Sequence, residues 1–559
     1  MKRVLILTAA LTLGAAPPAY DTIIKGGTIY DGSGGTPFVG DVAIASDRIV
    51  AVGRVTGGAK RIIDAHSLAV APGFINMLSW ANQSLIADPR SMSDIKQGVT
   101  LEVMGEGWSE GPLNPKMKAD AAKRQGDIKY PIQWTTLADY QNWITRRGIT
   151  PNIASFVGAT TVRIHELGEG DVDPTPAQLA RMQALVRQAM NQGAMGVGSS
   201  LIYAPATYAE TPELIALMKA AAPCGGMYIS HMRNESDDIG GAIDEVIRIV
   251  HESGAKGGEI YHLKQAGAAN WGKLPAVIAQ IEGARAKGIR ITADMYTYPA
   301  GATGLDAAMP TWVQAGGLEQ WIARLKDPQT RTRVAAEMRQ PGKGWENLLL
   351  QAGKPENVLF LEFKNPALKP LAGKTLAEVA AMRHLSPEET AIDLVIEDGS
   401  RVGTAYFLMD EKNVARQTAL PWVAFGSDAA SQAPEGVFLN SSAHPRTYGN
   451  FARFLGEYVR DEHTTSLADA IRRLSSFPAK NLGIADRGSL KTGNYADVAI
   501  FNPKTIGDRA TFAQPQQYAV GMRHVFVNGV QVLKDGEHTN ATPGRVVLGP
   551  GTGRCPAVR

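Results

Sequence analysis

Short β-branched runs alternate with Gly and Asp turns at the start of the chain, in "YDTIIKGGTIYDGSGGTPFVGDVAIASDRIVAVG" (20–53). That rhythm predicts hairpin strands rather than helices. It returns near the other end in "GNYADVAIFNP" (493–503) and "VFVNGVQVLKDGEHT" (525–539), where Asn528-Gly529 and Asp535-Gly536 mark tight turns. Residues 20–71 and 481–559 are expected to pair into one small β-sandwich domain, because chain ends often lie close together.

Between these ends, apolar runs closed by glycine-rich loops alternate with helical periodicity. The strand-like runs are "GFINM" (73–77), "GVTLEVMGEG" (98–107), "NIASFVGAT" (152–160), "GAMGVGSS" (193–200), "GGMYISHM" (225–232), "GGEIYHLKQAG" (257–267), "GIRITADMYTY" (288–298) and "PWVAFGSDAA" (421–430). Helical stretches such as "TPAQLARMQALVRQAMNQ" and "TPELIALMKAAA" separate several of them and begin on Thr-Pro. Eight buried strands with intervening helices predict an α/β fold, a (β/α)8 TIM-like barrel over residues 72–480. The stretch at about 300–415 is too long for one crossover and is read as an insertion, largely helical. "QTRTRVAAEMRQ" and "TLAEVAAM" within it have amphipathic spacing. The insertion is expected either to cap a pocket or to be a structural excursion.

The 559 residues exceed one core, which agrees with this division. The first 19 residues differ from the rest: Lys2 and Arg3, an apolar run and a small-residue end read as a secretory signal cleaved near Ala16–Ala19. The run is short of the about 20 residues of a membrane span. A periplasmic or secreted location follows, with no stable membrane anchor after cleavage; the competing reading is a buried N-terminal helix or strand. A formal charge of +3 without a Lys/Arg tract gives no footprint for nucleic acid. Two cysteines, Cys224 and Cys555, are too few for a disulfide framework and are read as structural.

Barrel enzymes place their chemistry at the C-terminal ends of the strands. There the sequence offers Glu106, His231, His262, Lys264, Tyr296 and Asp428. Two imidazoles and one carboxylate form a three-ligand set for a catalytic divalent ion with a fourth position left for water. Each residue has a plainer reading: a strand-end His as a hydrogen-bonded loop residue, Glu106 as a salt-bridge partner, Lys264 as half of a structural ion pair with a barrel carboxylate.

The longer motifs carry a resemblance. "GVGSSLIYAPATYAETPELIAL" (196–217), "YISHMRNES" (228–236), "HLKQAG" (262–267), "GSDAA" (426–430) and "HPRTYGNFARFLGEYVRD" (444–461) resemble the D-aminoacylase (N-acyl-D-amino-acid deacylase) branch of the amidohydrolase superfamily. The resemblance implies that His231 and His262 hold the metal, that Asp428 takes a proton from the attacking water, and that Lys264 and Arg446 clasp a substrate carboxylate. It implies an orienting role for Tyr296, with Tyr298 a nearby competitor. Two departures stand out. The family's first-strand His-x-His is Leu78-Ser79-Trp80 here, and Glu106 stands where the family carries a cysteine. The N-acetylglucosamine-6-phosphate deacetylases are similar in using Glu and two His, so the implied site holds one ion, Zn²⁺ foremost, with other divalent ions open. Leu78 and Trp80 are then expected to fill the vacated space and narrow the substrate pocket.

The resulting expectation is a metal-dependent amidohydrolase acting on small N-acylated amino acids, with D configuration favoured. Alternatives are another amide, dipeptide, aryl-amide or lactone, which the pocket near Leu78, Trp80 and Trp108 keeps open, and an inactive barrel kept as a binding protein.

Overall fold

The structure, a computed structural model, describes residues 20–556. The signal-like segment 1–19 lies outside the described residues. Strands β1 (Tyr20–Ile29), β2 (Phe38–Ala45), β3 (Arg48–Gly53), β4 (Ala59–Asp64) and β5 (Ala69–Pro72) come first. Barrel strands β6 (Phe74–Asn76), β7 (Val99–Met104), β8 (Asn152–Ser155), β9 (Val157–Gly158), β10 (Gly196–Ser200), β11 (Met227–His231), β12 (Gly258–Ile260) and β13 (Ile291–Met295) follow. An excursion contains β14 (Ala300–Gly304), β15 (Val358–Glu362) and β16 (Gly403–Phe407), after which β17 (Val423–Phe425) returns to the barrel. The last strands are β18 (Val498–Phe501), β19 (Met522–Val527), β20 (Val530–Lys534) and β21 (Glu537–His538).

β8 and β9 are consecutive pieces of one barrel strand, so each of the eight predicted segments contributes one position to the ring. Every pair along β6-β7-β8 and along β9-β10-β11-β12-β13-β17 is parallel. The ends meet where Met77 N donates to Phe425 O at 3.1 Å and Asp428 N to Leu78 O at 2.9 Å. A parallel bridge between Ser79 and Ala429 completes the join. Helices cover the outside, so these strands are buried on both faces and read as continuous apolar runs.

β1–β5 and β18–β21 form a single nine-stranded sheet in which β18 pairs with β5. Ile24, Val42, Ile44, Val498, Ile500 and Phe526, from both ends of the chain, share one buried cluster. The expected pairing of the two ends is therefore seen up to His538. Beyond it the tail leaves the sheet and crosses to the barrel: Pro543 bridges Ile149, Val546 bridges Ile153, and Gly549 N donates to Gly193 O. There Cys224 and Cys555 form a disulfide across 331 residues of sequence. The two cysteines, read separately as structural, are thus one crosslink, a pairing that spacing alone does not reveal.

The excursion is helical, as expected, and includes helices at Pro328–Glu337 and Leu376–Arg383 that overlap the two amphipathic stretches. It also holds a three-stranded antiparallel sheet ordered β14-β16-β15. Among the described residues no helix is long and apolar enough to cross a membrane.

Candidate metal centre and active site

Three strand ends converge on one point. Glu106 follows β7, His231 ends β11 and His262 follows β12. One ligand atom from each lies within 4.8 Å of the other two, and all three residues are buried. Glu106 Oε1 is 3.0 Å from His231 Nδ1 and 3.2 Å from His262 Nε2. Glycine places the carboxylate there. Gly105 has φ +104°, and a Cβ on it would stand 2.4 Å from the Phe156 carbonyl oxygen; Gly107, at φ +68°, abuts Ser200. A side chain at position 105 would push the turn off β8–β9 and carry Glu106 out of reach.

Glu235 supports this cluster from the other side. Its carboxylate accepts two bonds from Lys264 Nζ at 2.8 Å, sits 3.0 Å from His262 Nδ1 and lies 3.6 Å from His231 Nε2. A histidine that offers Nε2 to a metal carries its proton on Nδ1, and a carboxylate acceptor there fixes that tautomer. Lys264 Nζ, a donor only, stands 2.7 Å from the same Nδ1, so Nδ1 carries the proton only while the carboxylate draws the ammonium to itself. Burial pushes Glu106 and Glu235 upward. The two histidines outweigh it for Glu106, and Lys264 with the histidines does so for Glu235, leaving both well below the usual carboxylate range. Burial and Lys264 pull His262 down, but Glu235 and Glu106 raise it to about 10. The cluster is therefore a pair of charged carboxylates enclosing two histidine rings. A buried donor set of one carboxylate and two imidazoles, with Glu235 behind His262, fits a divalent cation.

Sequence reading missed Glu235, although it stands four residues after His231 in "SHMRNES". Lys264 takes the plainer of its two readings, an ion pair with a barrel carboxylate. The excursion reaches the same group: Glu346 Oε1 accepts from Glu235 N at 2.9 Å. Burial, then the Glu235 charge, raises Glu346 to about 7.

Asp428 stands just past β17, near enough to the cluster for His262 and Glu106 to act on its charge. Its backbone is left-handed (φ +48°), as is that of His262 (φ +35°). Such conformations are costly for these residue types and recur where a site dictates direction. Asp428 Oδ2 is 2.8 Å from Arg446 Nη1, an ionic contact whose angle falls short of a good hydrogen bond. Oδ1 accepts from Trp80 Nε1 at 3.1 Å. Burial raises Asp428 above the ordinary value, with Arg446 and His262 opposing.

Arg446 opens the helix Arg446–Arg453. Its guanidinium carbon sits 4.4 Å from the centroid of the Tyr296 ring, and its backbone N–H donates to His444 Nδ1 at 3.0 Å. His444, a second residue that sequence reading passed over, is anchored through Nε2 to Ala300 O and kept neutral by burial and by Arg446. The Tyr296 hydroxyl and Arg446 Nε are buried without protein partners. The Tyr298 hydroxyl, by contrast, donates to Asp508 Oδ2 at 2.8 Å, which removes it as the competitor of Tyr296. Leu78 is fully buried among Phe156, Ile229 and Tyr261 in the barrel core, so it packs beneath the site and does not line a pocket. Trp80 and Trp108, 37% and 38% exposed, stand past the ends of the adjacent strands β6 and β7.

Comparison with known proteins agrees with this fold. Residues 61–533 match the Amidohydrolase family. The N-acyl-D-glutamate deacylase of Alcaligenes xylosoxydans xylosoxydans is 31% identical over 94% of this chain and 96% of its own length. A crystal structure of D-aminoacylase is 31% identical, with a TM-score of 0.78 over 95% of this chain and 100% of that one. The N-acyl-D-glutamate deacylase of Bordetella bronchiseptica, crystallised with zinc and a phosphonate mimic of the tetrahedral intermediate, is 28% identical, with a TM-score of 0.77 over 95% and 99%. A parallel barrel with Glu106, His231 and His262 at its strand ends, and a family match spanning most of the chain, lead to one assignment: the protein belongs to the amidohydrolase family.

Proposed function

We propose that the chain hydrolyses the amide bond of N-acyl-D-amino acids at a centre with one metal ion, held by Glu106, His231 and His262, with zinc as the resident ion. The observation that carries this reading is the buried three-ligand cluster, with Asp428 near enough for His262 and Glu106 to act on its charge. The ion, when bound, supplies Lewis acidity for the scissile carbonyl and lowers the pKa of water toward about 7. Asp428 takes the proton from the attacking water and passes it to the leaving nitrogen, a double role open to a carboxylate within reach of both. Arg446, with Nε unpartnered, and the free Tyr296 hydroxyl receive the substrate carboxylate. Lys264 contributes through Glu235, keeping charge and tautomer fixed behind His262. The excursion covers the pocket, since Glu346 from it binds the backbone behind the metal ligands.

The N-terminal segment directs export in this reading. A disulfide linking Cys224 to Cys555 supports it, because such crosslinks persist in oxidising compartments.

The test is metal content per chain by elemental analysis, with hydrolysis of a panel of N-acyl-D- and N-acyl-L-amino acids by the same preparation. About one zinc per chain and turnover of D substrates are expected, with both lost in His231→Ala/His262→Ala. Two ions per chain would refute the single-ion centre, and turnover confined to L substrates or to amides without a carboxylate would refute the substrate assignment.

A further inference from the structure

The pocket contains a side chain that the mechanism above does not use. Trp80 leaves its indole more than a third exposed at the mouth, yet turns its one polar atom inward onto the carboxylate of Asp428. Among the described residues Trp80 Nε1 is the only hydrogen-bond donor to that carboxylate; the other contact is the ion pair with Arg446.

The backbone explains why the donor is so well placed. Trp80 N donates to Ala429 O at 3.0 Å, Asp428 N donates to Leu78 O at 2.9 Å, and Ser79 bridges Ala429. Ser427 N donates to Asn76 Oδ1 at 2.9 Å, and Asn76 Nδ2 returns a bond to Ser427 Oγ at 2.8 Å. The segments 76–80 and 427–429 are thus zipped together, and the indole and the carboxylate move as one unit. Position 79 faces away and is tied down separately, Ser79 Oγ donating to the buried Glu102 at 2.8 Å.

We infer that Trp80 is a positioning residue for Asp428: its indole N–H occupies Oδ1, so that Oδ2 is the oxygen that exchanges protons. This inference rests on the role proposed for Asp428. In the free chain Arg446 lies against Oδ2. A substrate carboxylate draws the guanidinium toward itself and uncovers that oxygen, while Trp80 continues to hold the other. An indole suits the task because it donates at every working pH and never accepts, so it cannot compete for the proton in transit. Without it the left-handed Asp428 keeps its backbone position but its carboxylate is free to rotate.

The test compares wild type with Trp80→Phe, which keeps an aromatic ring and removes the donor. A bond from a neutral donor to a charged acceptor predicts that kcat falls about tenfold or more, with KM within about twofold and metal content unchanged. The chain has nine tryptophans, and the Trp80 indole N–H resonance in a ¹⁵N-correlated NMR spectrum is the one missing from Trp80→Phe. In Asp428→Asn that resonance should move upfield as its acceptor loses charge. Unchanged kcat in Trp80→Phe, a rise in KM alone, or an indole resonance indifferent to Asp428→Asn would each overturn the inference. The resonance requires no turnover. If the wild type cleaves no N-acyl amino acid, the substrate reading falls by itself, and the indole shift still decides whether Trp80 holds Asp428.

Discussion

Replacing Glu235 by glutamine separates two duties that one carboxylate performs. Glu235 is buried, binds Lys264 twice at 2.8 Å and sits 3.0 Å from His262 Nδ1. Glutamine has nearly the same shape but only one acceptor oxygen. Its amide nitrogen must then face a donor, either the ammonium or the imidazole N–H. The first consequence is a buried, unbalanced Lys264, and breaking such a pair costs about 3–5 kcal/mol. The second is loss of the acceptor that fixes the His262 tautomer, for which removal of the supporting carboxylate lowers metal affinity by about 10–100-fold. Denaturant unfolding reads the first and competition with a chromophoric zinc chelator reads the second. The double variant Glu235→Gln/Lys264→Met distinguishes them: removing the stranded charge should restore part of the stability and leave zinc binding weak. A single variant within about 1 kcal/mol of wild type, with zinc affinity within about twofold, would show that Glu235 is a bystander and refute the reasoning.

Three further outcomes follow from other parts of the molecule. Gly105→Ala, which meets the Phe156 carbonyl at 2.4 Å, should displace Glu106, and the soluble fraction should retain little metal by elemental analysis. Glu346 is raised by burial and by Glu235 to about 7, from an ordinary 4.5. The unfolded chain therefore releases that proton first, and this component of stability is lost as pH climbs through that window. Glu346→Gln, which imitates the protonated acid, should gain on wild type in unfolding free energy between about pH 5 and about pH 8; a constant difference would contradict the assignment. Cys555→Ser should free the tail at 541–556 to proteolysis and lower stability by at most about 6 kcal/mol, the chain-entropy value for so long a loop, and an intact, equally stable variant would show that backbone contacts alone hold the tail.

Much of the barrel was legible because its strands are apolar runs that stop at glycine, and the strand ends then selected Glu106, His231, His262 and Asp428. What escaped were relations across distance. Trp80 and Asp428 are 348 positions apart, and no local pattern shows that an indole would point back onto a carboxylate. Glu235 is different: it lies four residues beyond a metal ligand, and the loop could be read as a source of acceptors for the histidines. His444 hides because it follows a loop and binds only backbone atoms. Lys264 was recognised as charged and near the site, but whether its partner is substrate or protein depends on where Glu235 lands.

The path of the tail after His538 ties the order of assembly to a covalent bond. Cys224 has to wait for a partner 331 residues further along the chain, and β1–β5 have to wait for β18–β21 before their sheet is complete. A chain truncated before Cys555 would carry an unpaired Cys224 thiol on an otherwise assembled barrel. Closure of this crosslink therefore reports that the tail has settled across the barrel, because the two thiols meet only when it lies there.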